Sequence, residues 1–126
     1  MKMRKRIILD TNALMAIDEF KLDIFAEVER SMDEPYDLVV LDGVLDELHK
    51  IMVEQKGKFK RSAKLALSII DSKNVKVEES SGNVDDFLVS LSKKGDLVLT
   101  QDAELKKRLK KPYLTIRQKK KVILVD

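Results

Sequence analysis

The 126-residue sequence contains no cysteine, which excludes disulfides, thiolate metal sites and cysteine nucleophiles. Its apolar runs, such as residues 7–9, are far too short for a membrane span or for the apolar region of a signal peptide. With a single histidine as well, any catalysis here must depend on carboxylates, lysine, serine or threonine. We therefore expect a cytoplasmic protein with no membrane partner.

Apolar residues make up 44% of the chain and charged residues 37%, which is typical of one domain with a single core over residues 1–126. The 25 basic residues outnumber the 22 acidic residues only slightly, but many of them are clustered at residues 56–61, 106–111 and 117–121. One such cluster is ordinarily a solvated helix face. Three in one small domain indicate a phosphate-rich partner.

Short apolar runs alternate with segments of helical periodicity along the whole chain. The runs predict strands at 7–9, 37–41, 75–77, 97–99 and 113–116. The periodicity predicts five helices. The first covers 13–32 with a break near Asp18, and the second follows an N-cap at Asp42. The others are expected at 61–71, from Asp85 to Gly95, and at 103–111. Residues 122–125 form either an edge strand or an extended terminal arm. This alternation predicts a three-layer α/β/α domain around a parallel sheet.

The first strand is followed directly by Asp10, Thr11 and Asn12. Two interpretations of this arrangement stay open. Asp10 or Asn12 could simply cap the next helix, because both residue types are good N-caps. Alternatively, Asp10 points into a site, because ligands bind at the carboxyl ends of the strands in open parallel sheets.

Further acids follow other elements of the predicted fold. Asp102 comes after the strand at 97–99, Glu47 lies on the helix after the second strand, and Asp85 and Asp86 open a later helix. Carboxylates brought together without a counter-charge repel one another, so such a cluster requires a cation. Oxygen ligands without histidine or cysteine indicate Mg²⁺ or Mn²⁺ rather than Zn²⁺.

Four short motifs together resemble the PIN-domain ribonucleases. They are Leu-Asp-Thr-Asn at 9–12, Val-Leu-Asp-Glu-Leu at 44–48, Val-Asp-Asp-Phe-Leu at 84–88 and Leu-Thr-Gln-Asp at 99–102. Within that family the chain looks most similar to archaeal VapC-like proteins and to eukaryotic PIN proteins of ribosomal RNA processing. The resemblance implies a parallel sheet of five strands in the order 3-2-1-4-5. It also implies metal-dependent RNA cleavage above the ends of the first and fourth strands.

Site residues follow from matching these motifs position by position. The resemblance implies that four acids hold one or two Mg²⁺ or Mn²⁺ ions and carry catalysis, with three supporting groups beside them. The apolar spacing that follows favours Asp85 over Asp86 as the third acid, which leaves Asp86 as a helix cap or an outer group. The four acids are Asp10, Glu47, Asp85 and Asp102, and the supporting residues are Asn12, Thr100 and Asp86.

The clustered basic residues are the predicted contacts to RNA phosphates. These are Lys58, Lys60, Arg61, Lys106, Lys107, Arg108, Arg117 and Lys119. The resemblance also implies a homodimer and, as a partner, an antitoxin or a ribosome-assembly factor.

Two alternatives remain at this point. A PIN domain that binds RNA without cutting it would keep the fold and the basic surface. A phosphoacceptor domain of the receiver or dehalogenase type would also be small, α/β and Mg²⁺-dependent. A dehalogenase-like site calls for an aspartate where this chain has Asn12, and a receiver would have to use Asp42.

Overall fold

The computed structural model describes residues 4–126, so the first three residues of the predicted domain lie outside it. None of the described helices is long and apolar enough to cross a bilayer. In chain order the elements are β1 Lys5–Leu9, α1 Thr11–Glu19, α2 Ile24–Ser31, β2 Tyr36–Leu41, α3 Asp42–Glu54, α4 Lys58–Ser72, β3 Lys76–Glu78, α5 Val84–Lys93, β4 Leu97–Leu99, α6 Ala103–Arg108, β5 Tyr113–Arg117 and β6 Lys121–Val125.

The sheet has six strands in the order β3-β2-β1-β4-β5-β6. The predicted order of the first five strands is confirmed, and these five are parallel. The predicted count of five is wrong, because residues 122–125 belong to β6, which pairs antiparallel with β5. Gln118 and Lys119 form the connecting turn with φ of 55° and 58°. Neither is a residue that favours such angles, so the sequence gives no clear signal of this hairpin.

The central strand β1 positions the functional end of the sheet. Ile7, Ile8 and Leu9 are all fully buried. Because successive side chains of a strand point to opposite faces, both faces of the sheet must be covered at β1. The connection from β3 to β4 takes the chain from one half of the sheet to the other. The two halves meet at β1 and β4, which pair in parallel. Polar residues that follow these two strands therefore meet where the strand order reverses.

The helical stretch predicted at 13–32 is two helices, and the predicted break near Asp18 is confirmed, since it lies just beyond this residue at 20–23. Lys21 has a positive φ of 52°, and the Asp23 carboxylate then caps α2 by accepting a hydrogen bond from the Ala26 amide. Asp18 itself is buried at the end of α1. The break in the helical pattern thus follows directly after a buried polar residue.

Two other helices have different ends from those predicted. The helix predicted at 61–71 begins at Lys58, so most of the basic segment 56–60 belongs to the first turn of α4. The helix predicted at 103–111 ends at Arg108. Its continuation is blocked because the Ser92 hydroxyl on α5 bonds both the N–H and the C=O of Lys110. Such long-range bonds leave no local trace in the sequence.

Candidate active site

Asp10 is the buried carboxylate at the carboxyl end of β1, with 6% of its surface exposed. Its Oδ1 accepts the Thr11 amide at 2.8 Å as the N-cap of α1, and its Oδ2 accepts the Thr100 hydroxyl at 2.7 Å. The two interpretations of Asp10 are therefore compatible. One oxygen caps the helix, and the other is held from the end of β4.

Burial raises the pKa of Asp10 to about 6. The hydrogen bonds from Thr100 and Thr11 lower this pKa, and the neighbouring carboxylates of Asp85 and Glu47 raise it further. A buried carboxylate repelled by two others is a group that a bound cation would stabilise.

One cleft at this edge of the sheet collects the four predicted acids. Glu47 on α3 is exposed, whereas Asp85 in the first turn of α5 and Asp102 at the start of α6 are half-buried. The cleft is lined by Asp10, Thr11, Asn12, Met15, Glu19, Glu47, Ile51, Asn83, Val84, Asp85, Gln101 and Asp102.

The segment after β4 is tied to the segment after β1 by a polar network. The Asn12 side-chain oxygen accepts the Gln101 amide at 3.0 Å, and the Gln101 side chain donates to the Asn12 carbonyl at 3.2 Å. The Thr100 hydroxyl, which donates to Asp10, also accepts the Asp102 amide at 3.1 Å. This network fixes the backbone that carries Asp10 and Asp102.

Asp85 and Asp86 point in different directions. Asp85 lines the cleft, whereas Asp86 accepts a 2.6 Å hydrogen bond from the Arg108 guanidinium on α6. The predicted cap role of Asp86 is wrong, because the Asn83 side chain caps α5 by accepting the Asp86 amide. Asp86 instead links α5 to α6.

The donors around the cleft fit a hard divalent cation. Carboxylate oxygens prevail there, and the buried Thr11 hydroxyl beside Asp10 has no hydrogen-bond partner within residues 4–126. Asp102 already uses Oδ1 to accept the Glu104 and Leu105 amides as the cap of α6. Among the residues described, no three acidic or histidine side chains stand close enough together to hold a metal ion. The acids therefore share a cleft without forming a closed ligand cage.

Comparison with known proteins places this arrangement in a family. The family model described as a PIN like domain matches residues 7–119, which span the cleft, four of the six strands completely and the last three residues of β1. This chain belongs to the PIN-domain family. Membership removes the support for a receiver or dehalogenase domain.

Two curated archaeal proteins are similar over nearly their whole length. Ribonuclease VapC4 of Methanocaldococcus jannaschii is 32% identical over 123 residues, which cover 91% of this chain and 92% of that protein. Ribonuclease VapC9 of Archaeoglobus fulgidus is 28% identical over 121 residues, covering 93% of this chain and 87% of that protein. The structure of the PIN domain endonuclease Utp24 matches with a TM-score of 0.75 at 23% identity, over 94% of this chain and 90% of that one. That structural match supports the PIN fold.

Asp42, predicted as the N-cap of α3, has a different role in this PIN domain. The cap position is Leu41, which makes no side-chain cap bond. The Asp42 carboxylate instead accepts both the amide and the hydroxyl of Ser80, at 2.9 and 2.6 Å. These bonds hold the loop before α5 against the start of α3, and they lower the pKa of Asp42.

None of the predicted RNA-binding residues lines the cleft of the PIN domain, and some already have protein partners. On the α1 side, Arg61 donates to Asp18 at 3.2 Å and the Lys119 ammonium lies 5.5 Å from the Phe20 ring centroid. Hydrogen bonds from Ser62, Lys21 and Arg61 lower the pKa of Asp18 to about 2.

On the α6 side, Arg108 pairs with Asp86 and Lys107 pairs with Glu104 at 3.3 Å. Lys106 reaches the Thr115 hydroxyl at 3.4 Å. The remaining predicted contacts, Lys58, Lys60 and Arg117, are exposed. The basic residues thus lie outside the lining of the cleft, whose charged groups are all acidic.

Sequence reasoning missed several residues that line the cleft. Gln101 stands inside the quoted motif but was not assigned a role, although its bonds to Asn12 fix the loop. Glu19 lies seven residues after Asn12, which places the two on one face of α1. That spacing is a signal for Glu19 in the sequence. The break expected near Asp18 hides this signal.

Proposed function

We propose that the protein is a metal-dependent endoribonuclease. Water attacks the RNA phosphodiester in line and leaves a 5′-phosphate and a 3′-hydroxyl. The observation that carries this proposal is the single cleft in which Asp10, Glu47, Asp85 and Asp102 meet from four different elements. The similarity to two proteins named ribonucleases supports RNA as the substrate.

The acids would hold one or two Mg²⁺ or Mn²⁺ ions. Such an ion supplies polarisation of the phosphoryl oxygen and lowers the pKa of water. Thr100 and the Thr11 amide fix both oxygens of Asp10, so this carboxylate is pre-organised. Glu47 is exposed on α3, and its longer side chain is free to adjust toward a ligand. Asn12 supports the site through the backbone of Gln101.

The basic residues outside the cleft lining would contact the phosphates on either side of the bond that is cut. Phosphate contacts position a nucleic acid without reading its bases, and they make binding depend on salt. We therefore expect affinity to fall as salt rises, with little base readout from Lys60, Arg117 and their neighbours.

The biological partner is part of the same proposal. A VapC-like toxin would be inhibited by an antitoxin, whereas a processing enzyme would work with a ribosome-assembly partner. Growth arrest on expression, relieved by a neighbouring gene product, would support the toxin role. A homodimer is also proposed, with β6 as part of its interface, because Leu124 on this edge strand is exposed.

The deciding experiment is cleavage of an end-labelled single-stranded RNA with Mn²⁺, Mg²⁺ or EDTA. We expect cleavage only with metal, and Asp10→Asn should reduce the rate at least 100-fold while RNA binding persists. Asp46→Asn is the matched control, because Asp46 is an exposed acid next to Glu47 that does not line the cleft.

Equal cleavage by wild type and Asp10→Asn would contradict the proposal and indicate a contaminating nuclease. RNA binding without any cleavage would favour the second candidate, a non-cleaving RNA-binding scaffold in ribosome assembly. The placement of Asp102 Oδ1 as a helix cap is the observation that favours this candidate, because it engages one of the four acids.

A further inference from the structure

A second, apolar groove continues directly from the acidic cleft. It is lined by Met15, Ile51, Gln55 and Phe59, and two of these residues, Met15 and Ile51, also line the cleft. Glu47 and Ile51 lie on α3 and Gln55 is its C-cap, so the three follow one another at four-residue intervals. The groove therefore extends from the acids by about 12 Å along that helix.

Phe59 is the feature that needs explanation. Its side chain lies in the first turn of α4 with 46% of its surface exposed, whereas Phe20, Phe25 and Phe87 are half-buried. The ammonium of Lys58 lies 5.4 Å from the centroid of its ring. An accessible aromatic face beside a cation has the features that single-stranded nucleic acids recognise.

We propose that this groove binds one unstacked base of a single-stranded RNA whose phosphodiester lies at the acids. The base stacks on Phe59 and packs against Met15 and Ile51, and the Gln55 amide is free to bond its edge. Lys56, Lys58 and Lys60, all exposed, supply positive charge for the adjoining phosphates. This inference rests on the proposed function, to which it adds a base-binding subsite.

A protein helix is a poorer fit to the same groove. Helices that bind grooves use apolar anchors spread over two or more turns. Four lining residues, of which one is Gln55, offer room for a single planar ring. The surrounding lysines also favour an anionic chain over an apolar one.

The test combines substitutions of Phe59 with oligonucleotides that lack one base. Binding of a ten-nucleotide single-stranded RNA is measured with Mg²⁺ in the Asp10→Asn background, so that the probe stays intact. A second set of probes carries one abasic nucleotide, moved along the chain. Phe59→Leu removes the π face, Phe59→Trp keeps it, and Val53→Ala is the control because Val53 is exposed outside the groove.

We expect Phe59→Leu to weaken binding of the full probe roughly 5- to 150-fold, which is the range for one base stacked on an aromatic ring. Phe59→Trp and Val53→Ala should bind like the parent. At one probe position, removal of the base should cause the same loss, and Phe59→Leu should then have no additional effect. In the wild-type background, the KM for cleavage should rise while kcat changes little.

Unchanged affinity of Phe59→Leu for the full probe would overturn the subsite and leave the groove to another occupant, such as a protein segment. An equal loss with every abasic probe would also overturn it, because Phe59 would then act through folding or charge. Failure of the proposed function gives a result different from either of these two outcomes. Base-dependent loss on Phe59→Leu with no cleavage by wild type would support the subsite in a protein that binds RNA without cutting it.

Discussion

Asp10 shows how one side chain can be well bonded and still destabilise the fold. Its two oxygens accept two hydrogen bonds, yet burial dominates and raises its pKa. The ionised form is therefore disfavoured in the folded state relative to the unfolded chain. A residue that costs stability at neutral pH is typical of a functional site.

This balance predicts that Asp10→Asn stabilises the protein while abolishing its activity. A folded-state pKa of about 6 against the ordinary 3.8 means that the folded state binds its proton more tightly. The contribution to stability is then complete below pH 4 and is lost as pH rises through 6. Asparagine resembles the neutral acid, so the variant should gain about 3 kcal/mol at pH 7.5 and only about 0.5 kcal/mol at pH 4.

Urea unfolding in EDTA at the two pH values would measure this gain. Asp46→Asn is the control for replacing one exposed acid by its amide. Loss of stability by Asp10→Asn at pH 7.5 would contradict the prediction and would mean that the cap and the Thr100 bond depend on the charge.

The positions of the acids in the chain were readable from the sequence, but their surroundings were not. The apolar residues after Asp85 indicated which of the paired acids faces the cleft. The partner of Asp86 could not be predicted, because Arg108 comes from a different helix 22 residues away. Exposure of Phe59 was hidden for a similar reason, since it depends on where α4 begins.

The packing contact between the start of α3 and the start of α5 positions two of the four acids. Gly43 lies in the first turn of α3, and a Cβ atom there would stand 2.7 Å from Val84 Cγ2 and 3.0 Å from Ser80 Oγ. Asp42 holds Ser80 in the same place. The lack of a side chain at residue 43 lets the start of α5 pack this closely against α3.

Gly43→Ala should therefore impair the proposed activity more than it impairs folding. Alanine improves helix propensity by about 1 kcal/mol, which offsets part of the overpacking cost of about 1 to 3 kcal/mol. The start of α5 must shift, however, and Asp85 shifts with it. We expect a roughly 10- to 100-fold slower cleavage, because small displacements in a site are costly.

The double variant Gly43→Ala with Val84→Ala removes the closer contact and should restore most of the rate. Cleavage assays and thermal unfolding of the single and double variants would test this. A slow double variant with normal stability would show that the Val84 contact is not the cause.

Helices and strands differ in how far the sequence determines them. All strands of the parallel part were predicted, because buried parallel strands are short apolar runs. The C-terminal end of α6 and the role of Asp42 were not, because Ser92 bonds Lys110 and Ser80 bonds Asp42 from distant segments. Residues 122–125 stayed open between an edge strand and a terminal arm, because a turn built from Gln118 and Lys119 gives no clear signal of a hairpin.

The edge of the sheet at β6 is protected by a helix from the first third of the chain. Glu27 of α2 accepts the Val122 amide at 3.0 Å, and Arg30 donates to the Val122 carbonyl at 2.9 Å. Arg30 also pairs with Glu27 at 3.0 Å, which lowers the pKa of Glu27. Covering the backbone groups of Val122 in this way limits pairing with another chain at that end of β6 and leaves Leu124 exposed at the other end.

Glu27→Ala should loosen β6 without affecting the cleft. The loss of a charge-assisted bond to the Val122 amide should cost about 1 to 2 kcal/mol. Hydrogen exchange at that amide should become roughly tenfold faster or more. Glu29→Ala on the exposed face of α2 is the control. Unchanged exchange at Val122 would show that pairing with Ile116 alone holds the strand.

The strand order also has a consequence for synthesis on the ribosome. β1 is made about 90 residues before β4, its neighbour on one side. At translation rates of about 5 to 20 residues per second, the two are separated by roughly 5 to 20 s. Asp10 and Glu47 are made well before Asp85, and Asp102, which follows β4, is the last of the four acids to be made. The cleft is thus completed only when the domain is nearly finished, which would keep an unfinished chain from carrying out the proposed cleavage on the RNA that surrounds it.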